Sequence, residues 1–262
     1  MTSGRSEDLR RRIDAFEREL ESRCAQLVEP TAFGTAYLNL DFPQRYSSNF
    51  LRVRGDLSGV DADALAADAD RVLGEHGLAH RSIEIGDEGN GPRLAAAFLE
   101  LGWSAEALIQ MAQVREPEAR PDADVFEVGY AEGRSIIEEA LRRQPYADSE
   151  EVVRQLTDFR AVLEREAGAR FFLGRVDGRP VSVCESYVIG DVAQVEDVNT
   201  LEEFRGRGLA SAIILAAAVS ARARGADLVF LVAAEDDWPK ELYRRLGFDA
   251  VSRSWSFTRT PS

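Results

Sequence analysis

Cysteine, histidine and lysine are almost missing from this chain of 262 residues. Its two cysteines, Cys24 and Cys184, lie far apart and belong to no Cys-x-x-Cys pair, so no disulfide framework and no thiolate metal site is expected. The two histidines, His76 and His80, lack the intervening glutamate of a His-Glu-x-x-His helix, and Gly77 lies between them; no metal is expected there either. Lys240 is the one lysine. No apolar run reaches the roughly eighteen residues of a membrane span. The N-terminus is charged from Arg5 onward and has no apolar signal region, so a cytoplasmic protein with reduced, buried thiols and no membrane partner is expected. Basic charge is also in deficit, at 32 Lys and Arg against 46 Asp and Glu. A formal charge of −14 argues against a nucleic-acid partner, which requires a basic face.

Against that acidic background stands Arg205-Gly206-Arg207-Gly208-Leu209-Ala210. The preceding run, Ala193 to Thr200, alternates as a half-buried strand does. The run after it, Leu209 to Arg222, has apolar residues at helical spacing. Two glycines at such a junction let backbone N–H groups approach a ligand closely, and a helix N-terminus adds partial positive charge, so the turn suits a phosphate group. Arg205 and Arg207 add forked, permanently charged donors. The next strand, Asp227 to Ala233, is almost continuously apolar and expected to be buried on both faces. Asp236-Asp237-Trp238-Pro239 then reads as an acidic helix cap with proline in the first turn, and Gly247-Phe248 as its stop.

These residues resemble the GNAT acyltransferase superfamily. Its acyl-coenzyme A loop, Arg/Gln-x-x-Gly-x-Gly/Ala, is matched by Arg205, Gly208 and Ala210, and its C-terminal Leu-Tyr-x-x-Leu-Gly-Phe by Leu242, Tyr243, Leu246, Gly247 and Phe248. The separation of the two motifs also matches, and the resemblance covers about residues 125–260. It implies an N-acetyltransferase that takes acetyl-CoA as co-substrate, with the pyrophosphate on Arg205, Gly206, Arg207, Gly208, Leu209, Ala210 and Ser211. Direct attack by a primary amine in a ternary complex is then the expected reaction.

The N-terminal half repeats part of this pattern. Leu94-Ala-Ala-Ala-Phe98-Leu-Glu-Leu101-Gly102-Trp103 parallels Leu242 to Phe248, and strand-like Ala105 to Val114 parallels Ala250 to Thr258. Internal similarity of this kind suggests duplication. The expected fold is therefore α/β (α+β): two tandem GNAT-like domains, each a mixed, mainly antiparallel sheet flanked by helices. The expected boundaries are 1–117 for a degenerate copy that includes an amphipathic helix over 5–28, 118–124 for a linker rich in proline and charge, and 125–262 for the catalytic domain. The N-terminal copy has Leu57-Ser-Gly59-Val-Asp61-Ala62 where the other has its loop; it offers no arginine, and its carboxylate repels phosphate.

By the same resemblance Glu196 is the expected general base, acting on the ammonium through water, with Gln194 and Glu185 as alternatives. Strand alternation puts Asp197 on the opposite face, with Val198 and Thr200 on the face of Glu196. A backbone N–H near Val198 is expected to meet the thioester carbonyl, within a cofactor-binding stretch of Val198, Asn199 and Thr200. Tyr243 is the expected general acid for the departing thiolate and also touches the cofactor. Asp236 holds a position where the family often has asparagine; a carboxylate does not donate to the pantetheine arm as an amide does. Cys184-Glu185-Ser186-Tyr187 is either acceptor-lining or an ordinary strand. The acceptor, a small-molecule or peptide amine, stays open, as does monomer against homodimer. Two alternatives remain: a non-catalytic acyl-CoA-binding or regulatory protein, and an acyltransferase using a larger acyl-CoA.

Overall fold

The structure is a computed structural model and describes residues 3–86 and 89–260. In chain order the first half comprises helix α1 (Ser3–Cys24), strands β1 (Leu27–Pro30), β2 (Gly34–Leu38) and β3 (Phe50–Val53), helix α2 (Ala62–Glu75), β4 (Arg81–Ile85), α3 (Gly91–Glu100) and β5 (Ser104–Gln113). The second half comprises β6 (Asp124–Val128), α4 (Tyr130–Leu141), α5 (Glu150–Ala167), β7 (Arg170–Val176), β8 (Arg179–Ile189) and β9 (Val192–Thr200). It closes with α6 (Leu209–Ala223), β10 (Leu228–Ala234), α7 (Pro239–Arg245) and β11 (Phe248–Arg259). This is a mixed α/β fold whose strand pairs are mostly antiparallel.

The chain forms two compact units that interleave in sequence: residues 1–24, 111–232 and 238–251 make one, and 25–110, 233–237 and 252–262 the other. Helix α1 therefore belongs with the C-terminal elements, where it packs on α5, β8 and β9. It ends at Cys24, short of the expected 28, because Leu27 to Pro30 pair with Thr35 to Leu38 as a hairpin.

In the first unit the strand order is β10-β9-β8-β7-β6. Helix α6 covers one face, and α4, α5 and α1 pack on the strands as a second layer. Gly174 of β7 meets Leu209 and Ile213 of α6, whereas Phe171 packs beneath Gly133 of α4, as the two-residue period of a strand requires. Local signals fix the element ends. Ser149 caps α5 by accepting from the Val152 N–H at 3.3 Å, and Gly168 ends it in the left-handed conformation at φ 64°. Asp177 and Gly178 both take positive φ and make the two-residue hairpin turn between β7 and β8.

In the second unit β2, β3, β4 and the C-terminal part of β11 follow one another, with β1 beyond β2 and β5 beyond β11. Leu65, Ala69, Val72 and Leu73 of α2 and Leu94 and Phe98 of α3 bury against Leu51, Ile83, Ile85 and Phe257. Phe98 stacks on Phe257 with ring centroids 4.4 Å apart. Helix α3, Gly102 at φ +78°, Trp103 and β5 repeat the order of α7, Gly247 at φ +89°, Phe248 and β11.

His80 is buried in this unit, stacked on Tyr46, with Nε2 at 2.9 Å from the Asn49 carbonyl. Burial, aided by Arg81, lowers its pKa to about 4 despite the hydrogen bond to Asn49. Between that value and the ordinary 6.5 the unfolded chain binds a proton that the folded chain refuses, so stability falls as pH drops through this window. We predict that His80→Phe, which keeps the stack, shows a smaller loss of Tm between pH 7 and pH ~4.5 than the wild type. Parallel losses in the two proteins would show that His80 is not the source.

Candidate active site

The site lies where the pairing of β9 with β10 ends. The two strands run parallel through Val192–Leu228, Ala193–Val229 and Gln194–Phe230, and their register stops there although β9 continues to Thr200. On its other edge β9 pairs with β8, and that register slips. Glu196 opposes Glu185 and Asn199 opposes Val183, so Asp197 and Val198 together oppose Cys184. This is a β-bulge, and its extra residue leaves the ladder locally unpaired. Asp197 takes φ +52°, a left-handed conformation uncommon for a residue with a side chain.

The bulge overturns the alternation expected along this strand. Cross-strand partners share a face, so Asn199 lies on the face of Glu196, Glu185 and Val183. Thr200 lies on the other face beside Ser182, with the two hydroxyls 2.8 Å apart. Sequence periodicity assumed an unbroken strand, and one inserted residue reverses every position after it.

Beyond Thr200 the chain makes a short 3-10 turn, Glu202–Phe204, and enters the arginine–glycine loop. The Arg205 Nε–H donates to the Thr200 carbonyl at 3.2 Å, tying the loop to the end of β9. Arg207 lies over the Phe204 ring at 5.3 Å. Gly206 and Gly208 both have positive φ, and a Cβ on Gly208 would come within 3.0 Å of Pro121. Gly208 is the N-cap of α6 and supplies no side-chain cap, so the first-turn N–H groups of this helix are left to other partners. Helix α2 differs: Asp61 caps it and accepts from the Ala64 N–H at 2.8 Å.

These elements enclose a cleft of about 700 Å³, within the range of small-molecule sites. Its walls are Val198, Asn199 and Thr200 of β9, the loop and first turn of α6 from Arg205 through Ser211 apart from Arg207, and Leu242 and Tyr243 of α7. Most of the expected cofactor-binding residues therefore share one cavity. Sequence reading missed Phe204, Trp238 and Arg245, which also line it. Trp238 had a signal in its neighbour, a helix-starting proline; the structure leaves its side chain 66% exposed. The stretch expected as a linker contributes Glu118, Ala119 and Pro121, held by the Glu118 N–H on the Arg245 carbonyl at 2.8 Å.

Three expected residues stand apart from this cavity. Arg207 is exposed beside Phe204. Asp236 belongs to residues 233–237 of the other unit, and it does not cap α7, whose N-cap is Trp238 without a side-chain hydrogen bond. Glu196 is half-buried outside the cleft lining and accepts a hydrogen bond from the Tyr187 hydroxyl. Burial and the neighbouring Glu196 push the Tyr187 phenol well above its ordinary pKa, so it stays protonated as the donor. Cys184, Glu185, Ser186 and Tyr187 are all buried, and Glu185 is engaged by Arg160 at 3.1 Å. Gln194 is buried. Cys184 and Cys24 form no disulfide. Among the described residues no group of three or more His, Cys, Asp and Glu is arranged for a metal ion, and no helix is long and apolar enough to cross a membrane.

Residues 134–248 match the acetyltransferase (GNAT) family, and this segment contains the loop, the bulged strand and Tyr243. The chain thus carries a GNAT acetyltransferase domain. An uncharacterized N-acetyltransferase of Methanocaldococcus jannaschii is 33% identical over 107 residues, which cover 37% of this chain and 47% of that protein. The chain therefore spans about half the length of the curated relative it matches. A GCN5-related N-acetyltransferase from Kribbella flavida has a TM-score of 0.66 at 19% identity, covering 96% of this chain and 95% of that one. A tandem GNAT protein from the clavulanic acid biosynthesis pathway has a TM-score of 0.54 at 19% identity, over 82% of this chain and 74% of that one. At such identities the likeness is one of fold, and the fold is that of tandem GNAT proteins.

We predict that Gly208→Val abolishes coenzyme A binding measured by calorimetry. The substitution strains a left-handed position and pushes a branched side chain toward Pro121. Retained affinity would show that the loop is not the phosphate cradle.

Proposed function

We propose that the chain is an N-acetyltransferase that moves the acetyl group of acetyl-CoA to a primary amine by direct attack in a ternary complex. The observation that carries this reading is the shared cavity. One cleft brings together the uncapped N-terminus of α6, the end of β9 beyond its bulge, and Tyr243.

The chemistry divides among these parts. First-turn amides of α6 and the guanidinium of Arg205 hold the pyrophosphate, with Arg207 beside them. The amide near Val198 donates to the thioester carbonyl and stabilises negative charge as it develops there, in a cleft where water competes poorly. Glu196 takes the proton of the attacking ammonium through water, and the Tyr187 hydroxyl fixes the orientation of that carboxylate. The Tyr243 hydroxyl, on the short helix α7 that lines the cleft, protonates the leaving thiolate. In the second unit Asp61 occupies the N-terminus of α2, which follows the stretch standing in place of the arginine–glycine loop, and each chain accordingly holds a single acetyl-CoA. The acceptor is a small-molecule or peptide amine, and the setting is the cytoplasm, as monomer or homodimer.

Three measurements test this reading. Calorimetry should give one acetyl-CoA per chain; a second equivalent bound with similar affinity would contradict the single-site assignment. In a thioester-consumption assay run over classes of primary amines, Tyr243→Phe should lower kcat about 100-fold while leaving acetyl-CoA affinity within about twofold. Unchanged kcat would remove the tyrosine from the acid role. Glu196→Gln should lower kcat/KM for the amine strongly at pH 7 and much less near pH 10, where a free amine sheds its own proton. A deficit independent of pH would instead mark Glu196 as a packing residue.

A further inference from the structure

Arg160 of α5 sits behind the bulge, with its side chain only 6% exposed. Its Nε lies 3.1 Å from a Glu185 carboxylate oxygen, one terminal nitrogen donates to Asp197, and the other donates to the Leu156 carbonyl of its own helix. Burial alone would depress the guanidinium, but the carboxylates of Asp197 and Glu185, with help from Tyr187 and Glu196, more than reverse this and hold it charged. The side chain it grips on β9 belongs to the one residue of that strand with positive φ. An L-residue pays a steric penalty in this conformation, because its Cβ crowds the following carbonyl. Something must hold Asp197 there, and the guanidinium fork spanning both strands of the bulge is positioned to do so.

We infer that Arg160 is a positioning residue for acyl transfer: through Asp197 it locks the left-handed bulge, and the bulge in turn aims the Val198 amide into the cleft. The inference rests on the reading of that amide as a thioester-carbonyl donor. On this account the conformation of residue 197 matters and its charge does not. Glycine, which takes positive φ without penalty, should therefore replace Asp197 and make Arg160 dispensable for the site. A β-branched residue should not. The phosphate loop lies beyond Thr200 and has its own glycines, so it should be indifferent to both changes.

The test compares calorimetric affinities for acetyl-CoA and for coenzyme A, which differ only in the thioester that the amide would meet. Asp197→Gly should keep the wild-type ratio of the two. Asp197→Val and Arg160→Lys should each weaken acetyl-CoA about tenfold relative to coenzyme A, while coenzyme A affinity stays within about threefold. Adding Asp197→Gly to Arg160→Lys should restore the ratio to within about threefold of wild type. A purely structural role for Arg160 would weaken both ligands together, with no rescue. Should Asp197→Val fail to fold, the Arg160→Lys protein with and without Asp197→Gly makes the same decision. Equal behaviour of the glycine and valine variants, or no rescue in the double variant, overturns the inference and leaves the proposed activity standing. A wild-type protein that binds neither ligand overturns both.

Discussion

Everything at the site depends on two parallel strands that part company. Pairing of β9 with β10 ends at Gln194 and Phe230, and β9 runs on to Thr200. A strand that loses its neighbour leaves a row of backbone groups in need of partners. The bulge at Asp197 and Val198 sharpens the divergence, because an inserted residue bends and twists the strand that carries it. The gap so opened is floored by Val198, Asn199 and Thr200 and leads directly to the arginine–glycine loop. The cleft is therefore a consequence of interrupted hydrogen bonding. No side chain had to be removed from a packed core to make it.

Electrostatics presents an apparent conflict between a formal charge of −14 and the polyanionic ligand proposed above. Distance resolves it. At physiological ionic strength a charge more than about 8 Å away is largely screened, so the general acidity of the surface matters less than the groups in contact. Around the loop the cationic groups are the exposed side chains of Arg205 and Arg207 and the open N-terminus of α6. The contrast with α2 is instructive, because there the same helical feature has been neutralised from within by Asp61. One carboxylate at an N-cap both stabilises its helix and closes that terminus to anions. The difference between an open and a closed helix end can thus be a single residue.

Much of this was legible in the sequence, because the signals were local. Gly206 and Gly208 announce positive φ, Ser149 and Gly168 bracket α5, and Asp177-Gly178 turns the hairpin, each through a property of a few adjacent residues. What escaped notice was set by tertiary contact. The bulge has no glycine to mark it, since Asp197 is held by Arg160 from a helix 37 residues away in sequence. The short β1–β2 hairpin lacked a glycine- or asparagine-rich turn pair, and α1 showed its amphipathic face without showing which elements it covers. Arg160 itself left a trace. It falls in register with Val153, Phe159, Leu163 and Ala167, the buried face of α5, and an arginine on an apolar stripe requires a buried partner.

Why an aspartate stands at the bulge where glycine would sit without strain is a question of rigidity. Glycine would take the left-handed region without strain, but it has no side chain through which α5 and β8 can be tied to the bulge. Aspartate tolerates the region better than most side chains, and it adds a carboxylate that a guanidinium can grip. Pairing with Arg160 converts tolerance into constraint. The same fork engages Glu185 on β8, so one buried cation ties together both strands of the bulge and the helix that covers them. A buried ion pair is a poor source of net stability, because desolvation offsets most of the attraction. Its value lies in geometry: the charges are satisfied in one arrangement, and that arrangement is the one in which β9 parts from β10 while staying paired with β8.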